Sequence, residues 1–139
     1  MTGVQTCALP ISALEATLMD HLSGGPIPTA NMLNAPASEI LRRCEWIVSQ
    51  VCSSDLFAEA VPVLSLIGGG TAPAARLQSA AISLRHATLQ PQALLQALRR
   101  LDPPVIGRVS KDTVLLDLRT VEAEFDGTLA SLLRQATPA

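Results

Sequence analysis

The chain has 139 residues, 48% of them hydrophobic and 16% charged, enough to bury the core of one or two small domains, with one globular unit the expected count. A formal net charge of −2 with 2% aromatic residues argues against a basic, base-stacking surface, so independent nucleic-acid binding is not expected. Apolar runs such as residues 61–67 fall far short of the roughly 20 residues of a membrane span, and no basic segment followed by an apolar stretch opens the chain, so a cytoplasmic location without membrane contact is expected.

Two short stretches do not read as protein. Residues 3–11 are GVQTCALPI and residues 51–56 are VCSSDL. The nucleotide string ACGTGTGCTCTTCCGATCT translates as TCALPI from its first base and as VCSSDL from its third, and GGAGTTCAG ahead of it supplies GVQ. That string resembles the adapter of short-read sequencing libraries, so residues 1–11 and 51–56 are expected to be adapter read in two frames. Cys7 and Cys52 fall inside these stretches, and any disulfide between them would be accidental. Cys44 is left as the one cysteine to interpret. Beside Trp46 in a helical stretch it reads as a small buried hydrophobe, and no metal site can be built from what remains.

Residues 12–22, SALEATLMDHL, place Leu14, Leu18 and Leu22 at i, i+4 and i+8, with Glu15 in the first turn and Gly24 and Gly25 beyond the end. This pattern predicts an amphipathic helix with a glycine stop, and His21 sits where an imidazolium suits the helix dipole. Residues 24–28 read as a turn-rich connector. Ser38 is the expected N-cap of a second helix through Ile40, Leu41, Cys44, Ile47 and Val48.

From Phe57 the pattern changes. Residues 60–67 have the length and composition of a buried strand and stop at Gly68, Gly69 and Gly70. Three glycines after a strand could hold an anion on backbone N–H groups. No GK[ST] follows, however, and Pro73 interrupts any helix that would aim its dipole at a phosphate, which favours a structural turn. Residues 79–85 alternate Ala80, Ile82 and Leu84 against Ala81, Ser83 and Arg85, a second strand that His86 closes at the surface. Residues 92–101 then place Leu94, Leu95, Leu98 and Leu101 on one side of a helix, with Arg99 and Arg100 at its end.

Residues 103–119, PPVIGRVSKDTVLLDLR, carry the strongest local signal in the chain. Pro103 and Pro104 force an extended backbone, and two alternating arms meet at Ser110, Lys111 and Asp112. Val105, Gly107 and Val109 share one face of the first arm, and Val114, Leu116 and Leu118 share one face of the second. A last helix is expected from Thr120, with Val121, Phe125, Leu129, Leu132 and Leu133 as its buried stripe. The order from residue 60 is then β, β, α, β, β, α, which predicts an α+β fold with helices packed on one face of a small, mainly antiparallel sheet.

Taken in order, ALEATL, MLNAP with its following helix, SLIGGGTAP, PPVIGRV and LLDLRTV resemble the C-terminal part of bacterial selenocysteine synthase, the L-seryl-tRNA(Sec) selenium transferase family. The resemblance spans most of residues 12–136. It implies a pyridoxal phosphate enzyme of the aspartate aminotransferase fold type that converts seryl-tRNA(Sec) to selenocysteinyl-tRNA(Sec) through an aminoacrylyl intermediate, with selenophosphate as donor. Residues 12–50 would then be the helical end of the large domain, and residues 57–139 the C-terminal α+β small domain. A homo-oligomer is implied as well.

Such chemistry needs a lysine for the cofactor Schiff base. Lys111 is the one lysine present, and its place in a solvated turn beside Asp112 argues against that role. By resemblance, the cofactor lysine, the phosphate-binding loop and the tRNA-recognition region lie upstream. No catalytic, cofactor-binding or metal-binding residue is therefore assigned in this chain, and a fragment without activity of its own is expected. What it could contribute is a wall of the substrate cleft at residues 68–71 (Gly68 to Thr71), or an arginine, Arg108 or Arg119, facing an anion. Pairing of those arginines with Asp117, Glu122 or solvent is the plainer expectation. A related pyridoxal phosphate lyase and a noncatalytic α+β interaction module stay open as alternatives.

Overall fold

The computed structural model describes residues 5–51, 53–67 and 75–136. The chain divides into two compact units, residues 1–34 and 35–139.

The first unit is helical. Helix α1 (Gln5–Ser23) is longer at both ends than residues 12–22, and it runs through Pro10. It stops where expected. Gly24 adopts a left-handed φ of 71° and the Gly25 amide donates to the Asp20 carbonyl at 2.7 Å, the six-to-one bond of a Schellman C-cap. Helix α2 (Pro28–Asn34) occupies sequence that gives no periodic signal. Its proline stands in the first turn, where a missing N–H costs nothing.

The second unit is built on a four-stranded antiparallel sheet of order β1-β2-β4-β3, comprising β1 (Leu56–Leu66), β2 (Arg76–His86), β3 (Arg108–Ser110) and β4 (Thr113–Asp117). The expected hairpin is present. Ser110 and Thr113 close a two-residue loop in which Lys111 (φ 47°) and Asp112 (φ 61°) are both left-handed, the backbone that matches strand twist in tight hairpins. Its first arm is shorter than expected. The Val105 amide donates to the Leu98 carbonyl at 3.0 Å, so this stretch is tied to the end of helix α4 (Pro91–Arg99) before pairing begins at Arg108. Gly107 is needed there, because a Cβ would lie 2.6 Å from Leu116 Cδ2 and 3.0 Å from the Leu115 carbonyl oxygen.

The reading of residues 60–67 as a buried strand is corrected. β1 is an eleven-residue edge strand in which only Leu56 and Ser65 are buried. Being an edge explains how it accommodates Pro62, which has no N–H for a second neighbour. The central strand is β2, where Ala80, Ala81, Ile82 and Leu84 are all buried.

Helices α3 (Ala37–Val51), α4 and α5 (Asp126–Gln135) supply the rest of the core. Ile40, Cys44, Ile47 and Val51 from α3, Leu94, Leu95 and Leu98 from α4, and Leu129, Leu132 and Leu133 from α5 form one cluster with Ile82, Leu84, Val114 and Leu116. Those four sheet residues share one face, since Ile82 pairs with Leu116 and Leu84 with Val114. The fold is thus α+β, with helices on one face of a small antiparallel sheet.

Two helix starts differ from expectation. Ser38 is not the N-cap of α3, because the helix begins at Ala37 and the Pro36 carbonyl already accepts from the Glu39 and Ile40 amides. The last helix begins at Asp126 rather than Thr120. Two 3-10 turns, Leu118–Thr120 and Ala123–Phe125, precede it and leave Phe125 half exposed instead of in the buried stripe. The cause is Arg43 of α3, which binds the Val121 carbonyl and the Asp126 carboxylate and so pins the chain between them.

Candidate functional site

Among the described residues a polar cluster of buried and half-buried side chains lies on the sheet face opposite the helices. Asp117, at the end of β4, stands in register with Ala81 of β2, and that methyl side chain lets the carboxylate reach across β2. Ser79 of β2 donates to its Oδ1 at 2.9 Å, and Ser65 of β1 donates to its Oδ2. The Arg119 backbone amide adds a third bond at 3.1 Å and caps the first 3-10 turn. One carboxylate therefore joins three strands.

Arg119 is 7% exposed. Its guanidinium donates to the Gln78 carbonyl of β2 and, at 3.1 Å, to the Ala35 carbonyl just before α3. The expectation that Arg119 meets solvent is thereby corrected. Its guanidinium donates to these two backbone carbonyls, and its amide bonds the Asp117 carboxylate. A buried cation held by carbonyls orients chain segments well, because several donors leave in fixed directions from one rigid plane.

Chemically, the cluster is suited to positioning. The Asp117 carboxylate accepts three hydrogen bonds, and Ser79, 2% exposed, is shielded from any nucleophilic role. Beside the cluster, on the helical side, an apolar groove of about 310 Å³ is lined by Pro103, Val105, Ile106, Leu118, Phe125 and Leu129 among others.

The remaining candidates are scattered. Arg108 is exposed on edge strand β3. Lys111 is exposed in the hairpin loop, and His21 is exposed in the last turn of α1. His86 is half-buried, and its Nδ1 accepts from the Thr88 and Leu89 amides at 3.2 Å each, so the ring serves its own turn. Cys44 is buried as expected, and desolvation pushes its thiol up to about 12, which makes it inert. Residues 68–71 and Cys52 lie outside the described residues, as does the side chain of Cys7. Among the described residues no three His, Cys, Asp or Glu side chains gather as a metal site, and no helix is long and apolar enough to cross a membrane.

Sequence reading missed Ser65, Ser79 and the Arg43–Asp126 pair. For Ser79 and Asp117 a signal existed, since both are polar positions at the inward end of apolar strands. For Arg43 there was none, because its partners lie 78 and 83 residues away.

A small antiparallel sheet backed by helices and carrying a polar cluster defines an α+β domain. A sequence profile described as L-seryl-tRNA selenium transferase (SelA) matches residues 4–122. Proteins named L-seryl-tRNA(Sec) selenium transferase align with nearly all of the chain. The one from Desulfovibrio desulfuricans is 34% identical over 138 residues, covering 92% of this chain and 29% of its own length. That of Moorella thermoacetica is 36% identical over 133 residues, covering 91% and 28%. That of Hyphomonas neptunium is 31% identical over 136 residues, covering 94% and 29%. The chain belongs to the L-seryl-tRNA selenium transferase family. It spans about 29% of the length of the curated relatives it matches.

Proposed function

We propose that the whole protein converts seryl-tRNA(Sec) to selenocysteinyl-tRNA(Sec) with selenophosphate and pyridoxal phosphate, in the cytoplasm and as a homo-oligomer, and that this chain is its C-terminal α+β part. The observation that carries this reading is the family match across residues 4–122. In this reading residues 12–50 belong with the larger domain and residues 57–139 form the small one, with α3 (Ala37–Val51) packed into the core of the small domain's sheet. Residues 1–11 and 51–56 stand where natural sequence is replaced by adapter.

The described residues do not fit the cofactor. The only lysine, Lys111, lies in an exposed two-residue turn, whereas a Schiff-base lysine works in a desolvated pocket among groups that fix the cofactor ring and phosphate. The lysine therefore lies elsewhere in the whole protein, and the role left to this chain is to shape and hold the substrate cleft.

The test is selenocysteinyl-tRNA formation by the full-length enzyme, purified from a resequenced locus and supplied with seryl-tRNA(Sec), selenophosphate and pyridoxal phosphate. Turnover is expected from the full-length enzyme and none from residues 1–139. Residues 1–139 mixed with the cofactor should show no protein-bound visible band. A band abolished by Lys111→Ala would refute the placement of the lysine outside this chain.

A further inference from the structure

The turn after β2 uses only one side of the His86 ring. Nδ1 accepts from the Thr88 and Leu89 amides at 3.2 Å each, and the Thr88 hydroxyl lies 3.3 Å from the same atom. A ring nitrogen that accepts amide protons carries none itself, so the proton of the neutral imidazole sits on Nε2. Among the described residues that Nε2 is buried and has no hydrogen-bond partner. A buried donor without an acceptor is costly, and a water or a ligand beside it is the usual answer.

His86 lines a cavity of about 180 Å³, well above the roughly 10–15 Å³ that one water needs. Three parts of the fold meet there: the end of β2, the start of α4 and the two-residue loop of the β3–β4 hairpin. Its wall carries two opposite charges, Arg85 from β2 and Asp112 from the loop. Neither makes an ion pair with the other or with any other described residue. The rest of the wall includes Leu84, Leu89 and Leu94, of which Leu84 and Leu94 are buried. Apolar walls with a few placed polar groups are the usual make-up of a small-molecule site.

We propose that this cavity binds a free α-amino acid with an aliphatic side chain, its carboxylate held by Arg85 and the His86 Nε2–H, its ammonium by Asp112, and its side chain against Leu84, Leu89 and Leu94. A carboxylate is the acceptor that a guanidinium and a buried N–H both take well, through charge-assisted hydrogen bonds. A simple anion meets the like charge of Asp112 and a simple cation that of Arg85, whereas a zwitterion satisfies both. In seryl-tRNA(Sec) the carboxyl group is esterified, so the ligand of this cavity is a different molecule from that substrate. Bound there, the amino acid ties the hairpin loop to the end of β2 and the start of α4, and it stabilises the fold by mass action.

The test is calorimetric titration of the full-length enzyme with three probes: L-leucine, 4-methylpentanoate, which lacks the ammonium, and 3-methylbutylamine, which lacks the carboxylate. Saturable binding of L-leucine is expected, about tenfold or more tighter than that of either analogue, since each analogue forgoes a charge-assisted contact. Arg85→Gln and Asp112→Asn alter exposed side chains, and Asn tolerates the left-handed backbone at 112, so both variants should fold. Each should weaken L-leucine by about tenfold or more. His86→Asn keeps an acceptor for the Thr88 and Leu89 amides while removing the Nε2–H, and it should weaken L-leucine in the same way. L-leucine should also raise the melting temperature of the wild type and leave that of Arg85→Gln unchanged. The absence of saturable heat overturns the proposal. So does binding that Arg85→Gln and Asp112→Asn leave unchanged, which places the amino acid elsewhere in the enzyme. Binding of 4-methylpentanoate as tight as that of L-leucine overturns it too, because the cavity is then a site for anions alone.

Discussion

Arg43 illustrates how much of this domain hangs on single side chains. Its guanidinium meets Asp126 through two bonds of 2.9 and 2.7 Å and the Val121 carbonyl through a third of 2.7 Å, with the paired side chains only 13% and 12% exposed. The hydrogen bonds that Arg43 donates to Asp126, and the charge of that carboxylate, outweigh burial and raise the guanidinium pKa further, so the cation persists at every accessible pH. Arg43→Ala strands a buried carboxylate and an unpaired carbonyl, and a loss of about 3–5 kcal/mol is expected in urea unfolding. Replacing both partners, as in Arg43→Met with Asp126→Leu, should recover most of that, since no charge is then left unpaired. Equal damage in the single and double variants would contradict this account.

Cys44 makes a different prediction, on pH. Its thiol is pushed up from 9.0 to about 12 by burial, so the folded state holds its proton after the unfolded chain has lost it. Below pH 9 both states are protonated and the contribution to stability is complete. Between pH 9 and about 12 the unfolded state binds fewer protons, and stability should fall by up to about 1.4 kcal/mol per pH unit. The chain has no tyrosine and one lysine, so few other groups blur this window. Unfolding free energies from pH 8 to 11 should show a slope that Cys44→Val flattens. A slope unchanged by that substitution would sink the assignment.

Among the secondary elements, the β3–β4 hairpin pays for its turn in backbone strain. Lys111 and Asp112 both hold left-handed φ without being glycine, a conformation costing roughly 1–2 kcal/mol for an ordinary residue and less for Asp. Lys111→Asn with Asp112→Gly should therefore raise stability by about 1 kcal/mol, read as a higher melting temperature. At the other end of β3, Gly107→Ala should cost about 1–3 kcal/mol, since its methyl meets the Leu116 side chain and the Leu115 carbonyl. The hairpin was legible because its signal is local: alternating apolar residues on either side of a polar pair. The stripes of α3 and α4 were legible for the same reason, as Ile40, Cys44 and Ile47 repeat at helical spacing. Elements set by distant partners were not. Nothing near residues 118–125 announces two 3-10 turns, because what shapes them is Arg43 of a helix much earlier in the chain. The edge position of β1 was hidden too, since Pro62 hints at an edge while the surrounding apolar run reads as buried. For the Asp117 cluster, the sequence showed a polar residue on an alternating strand but could not show that serines from two other strands converge on it.

The two units of the chain differ sharply in how they meet water. In residues 35–139 a single apolar cluster joins three helices to the sheet. Residues 1–34 have no such cluster among the described residues, and a segment of that length rarely supports itself without a partner surface. Along α1, Leu14, Leu18 and Leu22 are 60%, 54% and 83% exposed, although they form the stripe that an amphipathic helix normally buries. In relatives more than three times as long, much chain is available that this one does not contain. Exposed apolar residues in a continuous row promote association. Residues 1–139 should accordingly show an average mass that climbs with concentration in sedimentation equilibrium, and Leu14→Glu with Leu18→Lys should lower it toward that of a monomer. Helical content by circular dichroism separates two routes to that result. If the variant loses mass but keeps its helicity, the leucine row itself drives association. If the wild type stays monomeric over a wide concentration range, the row is satisfied within one chain, and exposure of α1 as the source of association is wrong.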